Sequence, residues 1–557
     1  MKKLKLKINI DWENIITGLF VISLACFSAA IIPALVYYEG MGAFLMRVVP
    51  VAAITGIYIL YKYSARLFAA DVFTDFKQLC NWQYVSILLV TVTAWLIVSS
   101  LLPPGLVPGV FGCFSFLGIV AFSLLLLINK KVYALIALLM SLPFIRFLEL
   151  QSMYMSFAGF LMTPFIITPS NIAIGIFAFF YVIVKITNRE NISLINDTGN
   201  KYYLIFAVAC LFSTLYAWDI SVSFIGFIIE VIVFPLFFLF VKDACREKRF
   251  IILLFYSITI AMTIRILITL YMAVRHKILI DSLTTAVSQI EVITTLSTML
   301  LPLLFGLFLL SRYKWTKLFV LLLLLAPITG IVFGDKREPI IALVATLPFV
   351  FLLPIKFKKA IFLGGISVGL SLLLYYGAQS ERHIAAIPLT WNALQTDSIR
   401  MCAYKAALGI IKDYPLFGVG FGNYVKFLDF YSPRTFYMFN VWPLVSPHNF
   451  ILHYLSSVGI VASGALFLLI GYTYKIGAKV IKKANDKVLK IVLISVLWSI
   501  SCFLAAANTG GTMVPFAYSE NLIQLRIVHY IPDIGIFFWL FMGFIYCIYV
   551  EVKKEWE

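Results

Sequence analysis

The segment KWTKLFVLLLLLAPITGIVFGDKR, residues 314–337, carries an uncharged apolar run between two lysines and a Lys-Arg pair. Such a run, with its flanking residues, can cross the roughly 30 Å hydrocarbon core of a membrane as an α-helix. Similar runs recur along all 557 residues, and the chain is 62% hydrophobic but only 13% charged. Because a soluble protein of this size has about twice that charged fraction, the sequence predicts an all-α polytopic membrane protein.

About 16 transmembrane helices are predicted, with 12–15 as the alternative count. The predicted spans lie near residues 15–38, 43–61, 84–101, 107–128, 132–150, 171–187, 202–217, 221–241, 250–272, 292–311, 318–333, 339–354, 360–376, 449–473, 488–507 and 534–550. The first run is longer than the apolar core of a signal peptide and lacks a following cleavage site, so we expect a membrane helix there.

The distribution of charge predicts the topology. The net charge is +18, and the lysines and arginines concentrate in short segments between predicted spans, including 2–7, 130–131, 356–359 and 475–490. Basic loops stay on the cytoplasmic side, so both termini are predicted to be cytoplasmic. Because topology accounts for these charges, nucleic acid is not expected as a partner.

One segment between strong spans, residues 377–448 and here called the long loop, is predicted to lie on the outer side and to carry function. Within it, 397–412 (DSIRMCAYKAALGIIK) predicts an amphipathic helix that Pro415 ends. The apolar residues of that helix recur at helical spacing and form one stripe: Ile399, Ala403, Ala406 and Ile410.

A histidine follows a Ser-Pro turn where the long loop re-enters the membrane, in Ser446-Pro447-His448-Asn449. Histidine titrates near neutral pH and can take a proton from a hydroxyl group. A capping or interfacial histidine is an equally good interpretation of His448 from these residues alone.

Two cations occupy a short turn that is predicted to be outer, in Gly334-Asp335-Lys336-Arg337-Glu338. Most other basic residues are predicted to lie on the cytoplasmic side, so two cations in an outer turn need an explanation. Phosphate binding would explain them because the guanidinium group of arginine matches paired oxygens. The alternative is a local ion pair with Asp335 or Glu338.

Two features of the long loop are ambiguous by themselves. Arg400 projects from the predicted helix, and a solvated helix face is the commoner setting for such an arginine. The run Gly418-Val419-Gly420-Phe421-Gly422 could let the backbone approach a phosphate, but a plain turn is the simpler interpretation. It follows no strand and therefore predicts no dinucleotide site.

Charged residues also fall near or inside predicted spans, where they indicate function unless they pair. Arg146 and Arg265 lie toward the predicted outer side and could line a path for an anionic headgroup. Glu149 could pair with Arg146, and Glu230 with Arg265, so both alternatives stay open. The five histidines do not cluster with carboxylates, and no C-x-x-C spacing occurs, so no metal site is expected.

Three elements in a fixed order resemble the O-antigen ligase/polymerase superfamily, over about Pro327 to Ile470. The first is an arginine at the outer end of a span, here Arg337. The second is an Asp-x-x-Arg helix running into Pro-Leu-Phe-Gly-Val-Gly-x-Gly-Asn, here Asp397–Asn423. The third is His-Asn-x-x-Leu, here His448–Leu452, running into Gly459.

This chain departs from the family pattern in two residues and in its number of spans. Lys336 stands where the family often has Ser or Thr, and Tyr404 where it often has Trp. On the resemblance, the chain divides into an N-terminal transmembrane bundle 1–326, a ligase-like core 327–475 and C-terminal helices 476–557.

The resemblance implies a metal-independent glycosyltransferase, without a cofactor, in the bacterial plasma membrane, with its active site facing the periplasm or exterior. The donor would be a glycan on undecaprenyl pyrophosphate, and the acceptor lipid A-core or another glycan. Arg337 and Arg400 would bind the pyrophosphate leaving group, and His448 would act as general base on the acceptor hydroxyl. The resemblance also implies a set of substrate-binding residues: Lys336, Asp397, Tyr404, Gly420, Asn423 and Asn449.

Other functions fit the same composition. A polymerase of the same superfamily would add lipid-linked repeat units to one another, and a third acceptor class is protein. A flippase for lipid-linked oligosaccharides would differ in class, since it would show repeated halves and paired broken spans. Neither feature is seen in the sequence.

The topology predicts different accessibility on the two sides of the membrane. A cysteine introduced at Thr390 should react with a membrane-impermeant maleimide in intact cells, and a cysteine introduced at Lys482 should react only after permeabilisation. The opposite pattern would reverse the predicted sidedness of the long loop.

Overall fold

The computed structural model describes residues 131–152, 198–245, 247–275, 283–333, 338–356, 358–371, 403–431, 447, 449–509 and 532–556. All of them belong to the second of two compact units, Phe122–Glu557. Throughout these residues the chain forms helices and turns with no β-strand, which agrees with the all-α prediction. The total of about 16 spans, the sidedness of the termini and the boundaries of the three predicted regions stay predictions.

The described chain is a series of helices. They are α1 Lys131–Ser152, α2 Thr198–Leu215, α3 Ile220–Phe227, α4 Phe234–Ala244, α5 Lys248–Arg275, α6 Leu283–Leu310, α7 Lys314–Phe333, α8 Glu338–Thr346, α9 358–371, α10 403–413, α11 Tyr424–Tyr431, α12 Phe450–Lys483, α13 Lys487–Thr509 and α14 Pro532–Lys553. A π-helical segment, Ile228–Val233, joins α3 to α4, and a 3-10 segment, Leu347–Leu352, follows α8.

Five of these described helices, α5, α7, α12, α13 and α14, are long and apolar enough to cross a membrane. Most predicted spans in the described part correspond to a helix, with two differences. The span predicted at 221–241 is interrupted by the π-helical segment, and the span predicted at 339–354 changes to a 3-10 helix at Leu347. Pro348 lies at that change, and its missing N–H removes one hydrogen bond of the α-helical ladder.

The apolar helices differ in how far the rest of the protein covers them. The most apolar part of α7 is only 28% buried, whereas those of α13 and α14 are 72% and 78% buried. Helix α13 contacts α6, α8, α12 and α14, and α14 also packs along α4. Therefore α13 and α14 are central to this bundle, and the rest of the protein leaves most of the apolar part of α7 uncovered.

Glycines allow close contacts between described helices of the bundle. A Cβ added to Gly306 of α6 would lie 2.1 Å from the Ser495 Oγ of α13. A Cβ added to Gly543 of α14 would lie 2.7 Å from the Phe238 carbonyl oxygen of α4. Small residues at such crossings bring two backbones together, which increases van der Waals contact where lipid removes the hydrophobic driving force.

Several hydroxyl groups in the buried interior bond to carbonyls of their own helices. The Thr259 and Thr263 hydroxyls donate to the carbonyls four residues earlier on α5, at 2.8 and 2.7 Å. Thr298 does the same on α6, at 2.6 Å. These bonds satisfy polar groups that would cost several kcal/mol if they were left unpaired in an apolar environment.

Candidate functional site

The described part of the long loop has a small apolar core of its own. Helix α10 buries Ala403, Ala406 and Ile410, three residues of the predicted stripe, and it ends at residue 413, just before Pro415. These residues face Val419, Tyr424 and Phe427 from the segment that follows. The Tyr424 hydroxyl donates to the Ala403 carbonyl at 2.8 Å and ties α11 to the start of α10. The predicted helix is confirmed over its described residues.

Between α10 and α11 lies the glycine loop, residues 414–423. Gly418, Gly420 and Gly422 have φ angles of 63°, 90° and 73°, a region that favours glycine. A Cβ on Gly418 would lie 2.5 Å from the Ser457 carbonyl carbon of α12, and a Cβ on Gly420 would lie 2.3 Å from the Ala217 Cβ. The loop is therefore pressed between α12 on one side and the chain between α2 and α3 on the other.

Helix α12 is broken where the glycine loop meets it. Gly459 has φ 74° and ψ −179°, a backbone conformation that is open essentially only to glycine. A Cβ at this position would lie 2.2 Å from the carbonyl oxygen of Leu416. The break therefore requires glycine both for its backbone angles and for the space that the loop occupies.

The loop supplies hydrogen bonds that the broken helix lacks. In a continuous α-helix the carbonyls of Ser456 and Ser457 would accept from amides four residues later. Here the bonds cross to the loop: Val419 N to Ser456 O at 3.0 Å, Gly420 N to Ser457 O at 2.7 Å, and Ile460 N to Pro415 O at 2.9 Å. We call this arrangement the loop insertion; its three backbone hydrogen bonds join the segment after α10 to α12, and the Leu452 side chain of α12 packs against the apolar core of α10 and the loop.

A second set of contacts fixes the glycine loop to the α2–α3 corner, residues 216–219. Asn423 is fully buried, and its amide oxygen accepts from the Asp219 N–H at 3.2 Å while its amide nitrogen donates to the Asp219 carbonyl at 3.3 Å. The Phe421 N–H donates to the Ser223 hydroxyl at 3.0 Å. Lys426 forms an ion pair with the Asp219 carboxylate at 2.9 Å.

The electrostatics of this corner keep the acid charged. The hydroxyl of Ser221 and the ammonium of Lys426 both bond to Asp219 and lower its pKa from 3.8 to about 2. Because the folded-state pKa is depressed, the stabilisation is complete above pH 3.8 and is lost as the pH falls through about 2. The ion pair therefore persists at every pH near neutrality.

Asn449 begins α12 and attaches it to α13. Its amide oxygen accepts from the Leu452 N–H at 3.0 Å as an N-cap. Its amide nitrogen donates to the Asn508 carbonyl at 3.0 Å, and the Asn508 side chain accepts from Ile451 N–H at 3.4 Å. The residue next to His448 in sequence thus holds the start of α12 against the end of α13.

The predicted catalytic residues Arg337, Arg400 and His448 lie outside the described residues, as do Lys336 and Asp397. In sequence they adjoin described elements: Arg337 precedes α8, Arg400 precedes α10 and His448 precedes Asn449. Tyr404 lies half-buried on α10. Substrate binding by Tyr404, Gly420, Asn423 and Asn449 stays a prediction, although the last three already have the packing or capping roles described above.

Two charged residues inside predicted spans bond to nearby polar groups. Glu230 lies in the π-helical segment and its carboxylate accepts from the Tyr454 hydroxyl of α12 at 3.1 Å. Arg265 is buried in α5 and donates to the Thr269 hydroxyl at 3.2 Å. The Arg146 and Glu149 side chains lie outside the described part. A headgroup path along Arg146 and Arg265 therefore stays a prediction.

The α2–α3 corner is the part of the site that sequence reasoning did not find. Asp219 followed by Ile220-Ser221-Val222 is typical of a helix start, and this signal predicts an N-cap. It contains no information on the contact with Asn423, which lies 204 residues away.

Helices of membrane-spanning length and composition define the chain as a membrane protein. Residues 319–469, which run from α7 through the glycine loop and the break in α12, match the family described as O-antigen ligase. This match confirms the predicted resemblance to the O-antigen ligase superfamily. No curated protein and no solved structure matches the chain.

The loop insertion predicts a sharp difference between two glycines of α12. Gly459→Ala should lower the thermal unfolding midpoint in detergent, because the backbone conformation alone costs about 1–3 kcal/mol and the Cβ would collide with Leu416. Gly464→Ala is the matched control, since nothing lies within 4 Å of its added Cβ and alanine is the better helix former by about 1 kcal/mol. Equal midpoints for the two variants would contradict the insertion.

Proposed function

We propose that this chain is a glycan transferase of the plasma membrane that moves an undecaprenyl-pyrophosphate-linked polysaccharide or repeat unit onto an acceptor hydroxyl. The leading acceptor is lipid A-core, which would make the chain an O-antigen ligase. The observation that carries the proposal is the family match at residues 319–469, which covers the loop insertion.

The geometry of the described residues supports this proposal. The predicted leaving-group arginine Arg400 lies three residues before the start of α10 in sequence, and the predicted base His448 directly precedes the N-cap of α12. The loop insertion joins α10 to α12 by three backbone hydrogen bonds of 2.7–3.0 Å. A transferase that must hold a base and a cation at one substrate benefits from such a joint, because small misplacements of reacting groups cost large factors in rate.

The proposed chemistry balances without further reactants. The acceptor hydroxyl oxygen attacks the anomeric carbon of the donor glycan, and the bond from that carbon to the pyrophosphate oxygen breaks. His448 takes the hydroxyl proton, and undecaprenyl pyrophosphate leaves with the electron pair. Arg337 and Arg400 stabilise the negative charge that develops on the leaving group.

The polymerase alternative uses the same site with a second lipid-linked repeat unit as acceptor. The two functions differ in product, so the gene-deletion phenotype separates them. Complete chains that remain on the undecaprenyl carrier and are absent from lipid A-core indicate a ligase. Loss of long chains, with single repeats remaining, indicates a polymerase.

The arginine assignments predict a specific loss of transfer. Arg337→Ala and Arg400→Ala should each lower the rate at least about a hundredfold at unchanged protein level, because each removes a donor to developing charge. Arg→Lys at either position should retain partial activity at most, since a point charge cannot replace a bidentate fork. The measurement is transfer from purified lipid-linked donor in detergent.

The control for the arginine variants is Arg249→Ala. Arg249 is half exposed and pairs with Glu247 at 2.7 Å at the start of α5, so its loss should leave transfer unchanged. Wild-type rates in both Arg337→Ala and Arg400→Ala would show that these arginines form structural ion pairs and do not bind pyrophosphate.

The base assignment predicts that His448→Ala lowers transfer at least about a hundredfold, since a general base contributes about two to four orders of magnitude. His453→Ala is the comparison, because His453 is buried in α12 against Tyr454 and has no proposed chemical role. Its loss should affect thermal stability more than the rate per folded molecule. Comparable rate losses at both histidines would indicate general destabilisation, and full activity of His448→Ala would remove the proposed base.

A further inference from the structure

Asp219, in the α2–α3 corner, contacts the glycine loop through its backbone and the following helix, α11, through its side chain. Its peptide groups form two hydrogen bonds with the Asn423 amide, at 3.2 and 3.3 Å. Its carboxylate caps α3 through the N–H groups of Ser221 and Val222, at 3.1 and 3.2 Å, and also accepts from Lys426. One residue therefore joins the start of α3 to both ends of the segment between Asn423 and Lys426.

This contact reaches beyond the segment that matches the O-antigen ligase family. Asp219 lies well before residue 319, where the family match begins, whereas Asn423 and Lys426 lie inside it. The two charged side chains are largely shielded, with 25% of the Asp219 and 19% of the Lys426 side chain exposed. Partial burial reduces screening by salt, so this pair is stronger than an ordinary surface ion pair.

The corner is the second attachment of the described part of the long loop, residues 403–431. The loop insertion holds the glycine loop to α12 through bonds at Pro415, Val419 and Gly420. The Asp219 contacts add a second attachment farther along the chain, at Asn423 and Lys426. Helix α10 packs on the same segment through Val419, Tyr424 and Phe427, so its orientation follows from both attachments.

We propose that Asp219 is a positioning residue for glycan transfer, holding the glycine loop and α10 in the orientation that the reaction requires. The inference rests on the proposed function, in which Arg400 acts from the residues just before α10. Asp219 itself touches neither donor nor acceptor. Its loss should therefore act on the transition state, where the arginine meets developing charge, more than on donor binding.

The chain contains a matched control at another corner. Asp486 accepts from the N–H groups of Val488 and Leu489, at 2.8 and 3.3 Å, and so caps α13 as Asp219 caps α3. It also forms an ion pair with Lys248. Asparagine caps helices as well as aspartate does, so Asp219→Asn and Asp486→Asn each remove the ion pair and keep the cap.

The experiment compares these two variants in the full-length protein purified in detergent. Asp219→Asn should lower kcat about tenfold to a hundredfold, as expected for a displacement of about 1 Å, with KM for the lipid-linked donor within about threefold of wild type. It should also speed hydrogen exchange in residues 403–431, which reports the loop independently of activity. Asp486→Asn should change neither kcat nor that exchange.

The lysine partner provides a rescue. Lys426→Met should reproduce the loss seen in Asp219→Asn, the double variant should be no worse than either single variant, and Lys426→Arg should keep most of the rate. The thermal unfolding midpoints of Lys426→Arg and Lys426→Met are measured together with the rates. A rate that follows the ion pair while the midpoints stay equal indicates positioning, and a rate that falls with the midpoint indicates a general loss of stability.

Three results would overturn the proposal. If the wild type is active and Asp219→Asn has the same kcat and the same hydrogen exchange, Asp219 has no positioning role, and the proposed transferase function still stands. Equal losses of kcat in Asp219→Asn and Asp486→Asn would show that the effect is a general loss of stability and not a displacement of the glycine loop. A wild type that transfers no glycan from any lipid-linked donor overturns the proposed function itself, and the positioning role falls with it.

Discussion

The loop insertion is the constraint on which the described site depends. Helix α12 gives up its own hydrogen bonds at Gly459, and the glycine loop replaces them from outside the helix. A backbone group left unpaired in an apolar environment costs several kcal/mol, so loop and helix stabilise each other only while they stay together. The long loop is for this reason an integral part of the bundle at Pro415–Gly420, although its sequence reads as a connection between spans.

Three separate parts of the chain meet at the glycine loop. Helix α12 contributes the open carbonyls of Ser456 and Ser457, helix α10 contributes an apolar face, and the α2–α3 corner with the start of α3 contributes Asp219 and Ser223. Each contact uses a different kind of interaction: backbone hydrogen bonds, apolar packing and a shielded ion pair. Together these contacts support the loop from three directions, which is a requirement for holding reactive groups on neighbouring segments in register.

Local patterns in the sequence were enough to predict the helices but not how they meet. The stripe of Ala403, Ala406 and Ile410 and the stop at Pro415 predicted α10 correctly, because periodicity and proline geometry are properties of nearby residues. The break at Gly459 was not predictable, since glycine is common in membrane helices and does not by itself end one. The contact of Asp219 with Asn423 was equally hidden, because residues 204 positions apart share no local signal.

The order of the chain determines when the break in α12 can be completed during synthesis. Residues 415–420 leave the ribosome before residues 456–460, and they are close enough in sequence for α10 and the glycine loop to form first. The amides and the carbonyl that complete the interrupted ladder of α12 are therefore already synthesised when residues 456–460 are added. The break in α12 uses a partner that precedes it in the chain, so its replacement hydrogen bonds need no residue that is made later.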